Sequence, residues 1–239
     1  MKLPRSARIP SIAAIFGIVP LVFLPLAACQ GQPVAAPAET EQPGAAVAEP
    51  SGVTGSLPAS EYFETLTETA FSATPAQLDA TIAQARAAVA RDRRTLSPPV
   101  AALLDERLRQ IADAREGLNR ADLAIASIEA FRLVVSATST AGGVPLEVSL
   151  LDYAGFRYGA DLKAPVVRWD DAAQAADFAA EQWALISARV SDQALRSRFG
   201  AAVAAMAASA RNRDAAGAAL AGATELDLVD ELETFFAHG

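Results

Sequence analysis

From about residue 59 onward, apolar positions recur every three or four residues, the spacing that lines one face of an α-helix. Leu78, Ile82, Ala85 and Val89 make one such stripe, and Val100, Leu103, Leu104, Leu108 and Ile111 make the next. The punctuation between stripes is helical too. Ser60 with Glu61 opens a first helix, which Phe71-Ser72 closes. Thr74-Pro75 sets an N-cap before a first-turn proline, and Ser97-Pro98-Pro99 ends one helix and caps the following one. Asn119 marks a turn, after which a helix is predicted to run to about Ala137. Strand signals are nearly absent, since Leu133-Val134-Val135 is too short to outweigh its surroundings.

Thr138 to Gly143 is a polar, glycine-containing break, and the pattern then resumes. A helix is predicted from Val144 to Leu162, with Pro145 in its first turn, and Ala164-Pro165 ends it. Asp170 or Asp171 then caps a helix carrying Phe178 and Trp183. Ser191-Asp192 caps the next, with Leu195, Phe199, Val203 and Met206 on one face. Asn212-Arg213-Asp214 makes a further turn before a last helix from Ala215 to Phe236.

The two halves share landmarks: Asn119-Arg120-Ala121-Asp122 echoes Asn212-Arg213-Asp214, and Ser97 stands to Asn119 as Ser191 stands to Asn212. This suggests a duplicated four-helix unit with a period of about 93 residues. The predicted fold is therefore all-α, an antiparallel helical bundle of about seven to eight helices over residues 59–239, with candidate repeats at 59–138 and 144–236.

Upstream the texture is different. Residues 29–58 hold Pro33, Pro37, Pro43, Pro50 and Pro58 with few large apolar side chains, the composition of a disordered tether. Such a stretch reaches about 30 Å as a coil or up to about 90 Å drawn out. Residues 1–28 place Lys2, Arg5 and Arg8 before an apolar run from Ile9 to Leu26. Pro10, Pro20 and Pro25 interrupt that run, which argues against a permanent spanning helix.

Leu26-Ala27-Ala28-Cys29 ends the run, and Cys29 is the only cysteine. The arrangement resembles the signal peptide and lipobox of bacterial lipoproteins. That resemblance implies cleavage before Cys29, a diacylglycerol on its thiol and an acyl chain such as palmitate on the new amine. Two or more chains anchor durably where one is marginal. It also implies the periplasmic side of the envelope. Gln30, in place of the Asp that retains such proteins at the inner membrane, leans toward the outer membrane.

Charge narrows the partners. The chain carries a formal charge of −8, and loss of Lys2, Arg5 and Arg8 with the signal makes the mature protein more acidic still. No basic stripe exists for nucleic acid. With one cysteine there is no internal disulfide and no thiolate cluster for zinc. The single histidine, His238, has no second histidine for a zinc site or a hydrolytic triad.

Two places remain for chemistry. The helix around Leu151-Asp152-Tyr153-Ala154-Gly155-Phe156-Arg157-Tyr158 is apolar nearly all round. Asp152 is in line with Val148 and Phe156, so it is expected to turn inward and to need a cation, supplied by Arg157, Arg132 or Arg168. Asp152, Tyr153, Arg157 and Tyr158 are the candidate ligand-binding residues, with the register-fixing ion pair as the plainer reading. The second place is the acidic end, Glu225, Asp227, Asp230, Glu231 and Glu233, which lacks the alternating ligands of a calcium loop and reads as a solvated face. The sequence thus points to a membrane-anchored, non-catalytic binding or accessory module of the envelope, with no cofactor and an envelope protein as partner. The alternative is a small-ligand or metal-binding protein with an interhelical pocket around Asp152, Tyr153 and Arg157.

Overall fold

The computed structural model describes residues 57–138 and 143–238. The expected signal peptide, Cys29 and nearly all of the expected tether lie outside the described residues. Among the described residues are eight α-helices and no strand. They are α1 (Pro58–Thr69), α2 (Pro75–Asp92), α3 (Pro98–Glu116), α4 (Arg120–Ala137), α5 (Leu146–Leu162), α6 (Trp169–Ile186), α7 (Gln193–Asn212) and α8 (Ala215–His238). A single 3-10 turn at Ser187–Arg189 follows α6. The all-α bundle expected from the periodicity is what forms.

Helix ends follow local chemistry. Thr74 closes a full capping box with Gln77, and Pro75 supplies the pre-set first turn of α2. The Asn119 side chain accepts from the Asp122 amide at 3.1 Å to start α4. Asp192 accepts from the amides of Ala194 and Leu195 at 2.8 and 3.0 Å to start α7. Three boundaries differ from the sequence reading. The helix α1 begins at Pro58 and buries Leu57, so the fold takes in residues assigned to the tether. Pro145 is the N-cap of α5 rather than a first-turn residue. Arg168, not Asp170 or Asp171, caps α6. Its amide is held by the Asp161 carbonyl at 3.1 Å, and the two aspartates fall in the first turn, where the helix dipole favours them.

The helices close into two rings. Helices α1, α2, α3 and α4 pack around one core, in which Phe63, Leu66, Leu104, Ile111 and Ile128 are fully buried. Helices α5, α6, α7 and α8 pack around another, filled by Val148, Leu151, Phe199 and Leu232, with Tyr158 and Met206 further along. Trp183 stacks on Phe199 with centroids 4.5 Å apart. Each buried Leu, Ile or Phe contributes about 1.5–3 kcal/mol. The seam between the rings is α4 against α5. One stripe residue does not turn inward as the spacing suggests: Leu103 is 49% exposed while its neighbour Leu104 is buried, because only one of two consecutive positions can face the core.

The turns α3–α4 and α7–α8 share one geometry. Leu118 and Arg213 both take left-handed backbone, at φ 56° and 53°. The Asn119 amide donates to the Ala114 carbonyl at 2.8 Å and the Asp214 amide to the Ser209 carbonyl at 3.0 Å, the six-to-one closure of a Schellman motif. These turns equate Asn119 with Asp214 rather than with Asn212. Asp214 also does the same work, accepting from the Gly217 amide at 3.0 Å.

Candidate functional site

Helix α5 touches α4, α6, α8 and, lightly, α1, so each of its faces meets a different environment. The four residues singled out from the sequence lie on three of those faces. Tyr153 and Arg157 face α4. Tyr158 points into the second core, where its hydroxyl donates to the Met206 carbonyl at 3.0 Å. Burial raises that phenol to about 12. Asp152 faces α1 and α8.

On the α4 side a buried carboxylate organises everything around it. Glu129 Oε1 accepts from the Tyr153 hydroxyl at 2.7 Å and from Arg157 Nη1 at 2.5 Å, and its Oε2 accepts from Arg132 Nη2 at 2.9 Å. Arg157 Nε also donates to Asp161 Oδ2 at 3.0 Å. The Arg132 guanidinium covers the Tyr153 ring at 5.1 Å, and Phe178 meets the same ring edge-on at 5.5 Å. Desolvation and the adjacent Glu129 raise the Tyr153 phenol to about 12, so it stays a donor throughout the physiological range. This is an ion-paired network on the seam between the rings, complete except for Asp161 Oδ1, which is buried without a partner. Arg168 is engaged elsewhere, pairing with Asp122 at the start of α4.

The arginines expected to neutralise Asp152 are therefore spent on other acids. Asp152 instead stands among like charges: Glu64 and Glu68 from α1, and Asp230 and Glu233 from α8. Its carboxyl is pushed well above the usual aspartate range, by burial first and then by those charges. Glu64 is raised from 4.5 to about 7 by burial and then by Glu68, Glu233, Asp230 and Glu61. Beneath them sits Glu225 of α8, completely buried, with neither carboxylate oxygen hydrogen-bonded. Burial, then Asp152, raises it well above the usual range. Glu225 Oε2 occupies the space over Gly155, where a Cβ would overlap it and stand 2.7 Å from Leu226 Cδ2. Gly155 is one turn beyond Asp152, so both acids lie along one face of α5.

The result is a cluster of acids graded in depth. Glu61, Glu68, Asp230 and Glu233 are exposed, Glu64 and Asp152 are half-buried, and Glu225 is completely buried. Among the described residues none of these carboxylates has an ion-pair partner, and no cluster of three acids, histidines or cysteines is arranged to hold a metal ion. The rest of the acidic end is ordinary surface: Glu231 takes a bidentate contact from Arg198 at 2.8 and 2.6 Å. His238 lies exposed at the end of α8.

Sequence reasoning named Asp152 and missed its company. Glu225 carried a readable signal, since Ala221, Gly222, Leu228 and Val229 place it on the buried stripe of α8. Glu64 carried a weaker one, adjoining the core residue Phe63 on a short helix. Which arginine meets which acid is a tertiary fact with no local mark. No protein-family model matches the chain, and neither a curated protein nor a solved structure matches it.

Proposed function

We propose that this chain is a lipid-anchored module of the bacterial envelope that acts by binding a cationic partner, not by catalysis. The lipobox ending in Cys29 and the proline-rich stretch after it support the anchored location, at the outer membrane in preference to the inner one. The observation that carries the mode of action is the contrast between the two sets of buried acids. Glu129 and Asp161 are paired by arginines of the same chain, whereas among the described residues Asp152 and Glu225 have no cation. A buried carboxylate is costly unless something neutralises it, and a partner's positive charge does so without a compensating loss inside the fold. The small-ligand alternative survives on the Asp152 face alone, since Tyr153 and Arg157 are committed to Glu129.

The test uses a deletion strain. Cys29→Ser is expected to lose metabolic labelling by an alkyne palmitate analogue and to leave the membrane fraction. A variant of the unpaired acids, Asp152→Asn with Glu225→Gln, is expected to be labelled and anchored normally yet to reproduce the envelope defect of the deletion. Full complementation by that anchored variant contradicts the binding assignment, and labelling that persists without Cys29 contradicts the anchor.

A further inference from the structure

We infer that the cleft between α3 and α4 is a binding site for short peptides with free ends, Arg107 taking the terminal carboxylate and Asp113 the terminal ammonium. The site is built from other helices than the unpaired acids of α5 and α8, and it goes beyond the cation-binding reading.

The cleft has a volume of about 560 Å³ and is lined by α3, α4 and the turn that joins them. Its floor is small and apolar. Ala114 and Ala126 are buried, Ile125 is half-buried, and Gly117 adds no side chain. Three of these four residues carry nothing beyond a Cβ, and that is where the room comes from. A narrow apolar strip of this kind suits a peptide with small side chains.

The walls choose the ligand. Six arginines are half-buried among the described residues, and five of them are committed within the fold. Arg115 pairs with Asp79, Arg132 and Arg157 with Glu129, and Arg168 with Asp122, while Arg120 donates to the Ala70 and Ala73 carbonyls. Among the described residues Arg107 has neither an acid nor a backbone carbonyl. Its Nη1 donates to Gln110 Oε1 at 2.7 Å, and Gln110 Nε2 donates in turn to Glu106 Oε1 at 2.9 Å. The guanidinium is thus steadied at the cleft wall with donors to spare, and Glu106 is itself taken by Arg109. A planar fork so placed fits a carboxylate. The chain as a whole carries a formal charge of −8 and repels a free anion. A net-neutral ligand with an ammonium at its other end escapes that repulsion. Asp113 lines the same cleft, exposed and in no ion pair among the described residues, whereas Asp122 is already held by Arg168 and Asn119. Arg107 and Asp113 are about 9 Å apart along α3 at 1.5 Å per residue. An extended tripeptide is about 10 Å long, so both of its ends are met.

The experiment is titration calorimetry on the full chain in mild detergent at neutral pH. The probes are trialanine, its C-terminal amide, its N-acetyl form and inorganic phosphate. Trialanine is expected to bind saturably, and each of the other three about tenfold more weakly or worse, the size of one charged hydrogen bond. Arg107→Gln is expected to weaken trialanine by the same factor and to leave the amide where it was. Asp113→Asn is expected to weaken trialanine likewise and to leave the acetylated peptide where it was. Neither side chain belongs to the core, so both variants are expected to fold, and thermal unfolding checks that. Four results overturn the assignment: no saturable binding of trialanine, phosphate bound as tightly, free and amidated peptide bound alike, or variants that lower free and capped peptides equally. None of these touches the cation-binding reading, which is tested at Asp152 and Glu225.

Discussion

Helix α5 carries buried acid chemistry on two sides, and the two sides are solved in opposite ways. Toward α4, Glu129 meets Arg157, Arg132 and the Tyr153 hydroxyl, and Asp161 takes the remaining guanidinium nitrogen. Toward α1 and α8, Asp152 and Glu225 have no ion-pair partner among the described residues, and the charges that act most on Asp152 are acids. The same helix, one turn apart, thus has a closed account and an open one. The lesson is that burial alone does not mark a functional acid. Glu129 is nearly as buried as Glu225, and its partners make it a structural clamp on the seam between the two rings. An acid that is buried and left unpaired is the one that asks for something from outside.

The largest expected effect comes from breaking the paired side. Glu129→Ala leaves Arg132 and the Tyr153 hydroxyl without their acceptor and Arg157 with half its contacts. It is expected to lower the unfolding free energy by about 3–5 kcal/mol in urea denaturation. Next is the packing that admits the unpaired acid. Gly155→Ala is expected to cost about 1–3 kcal/mol, because its Cβ overlaps Glu225 Oε2 and crowds Leu226. In a Glu225→Ala background the same change is expected to become nearly neutral, and the double-mutant cycle measures that coupling directly.

Glu225→Gln sharpens the comparison by its sign. Removing a charge that nothing neutralises is expected to stabilise the unliganded protein by about 1 kcal/mol at pH 8, the reverse of what Glu129 shows. Loss of an exposed bidentate pair, by Arg198→Ala opposite Glu231, is expected to have the smallest effect of all and to vanish in high salt.

The pH dependence comes mainly from the unpaired side, although burial also raises the Asp161 carboxyl on the paired side. Glu64 is raised from 4.5 to about 7, and Asp152, Glu225 and Glu233 are raised in the same direction. A raised carboxyl holds its proton more tightly folded than unfolded. Its contribution is complete below the unfolded value near 4.5 and is lost as the pH rises through the folded value. For Glu64 that window is 4.5 to about 7. The charges that act most on Asp152 are acids, Glu64 and Glu68 on α1 and Asp230 and Glu233 on α8, and they add to the loss. Stability of the unliganded protein is expected to fall between pH 5 and pH 8.

Much of the fold was legible in the sequence, and the reasons are local. Thr74-Pro75, Asn119 and Asp192 are caps whose chemistry acts within four residues, and each is found capping a helix. Boundaries set by distant contacts were not legible. The start of α6 depends on Arg168 being held at the base of α4 and by the Asp161 carbonyl. The left-handed Leu118 and Arg213 are not glycines, so nothing in the residue type announces them. The site was half legible. Apolar neighbours on α5 showed that Asp152 turns inward, but nothing in the local pattern could show that its nearest charges are acids brought from α1 and α8. The arginines that the sequence offered it are nearer to Glu129, Asp161 and Asp122 in space.

The most direct measurement is the unfolding free energy of the natural chain and of Glu225→Gln, without ligand, from pH 5 to pH 8. An unpaired buried acid predicts that the two are close at pH 5 and that the variant becomes progressively the more stable as the pH rises. Parallel curves, or a variant less stable at every pH, would mean that Glu225 is neutralised within the fold and that the unpaired acids need no cation from outside.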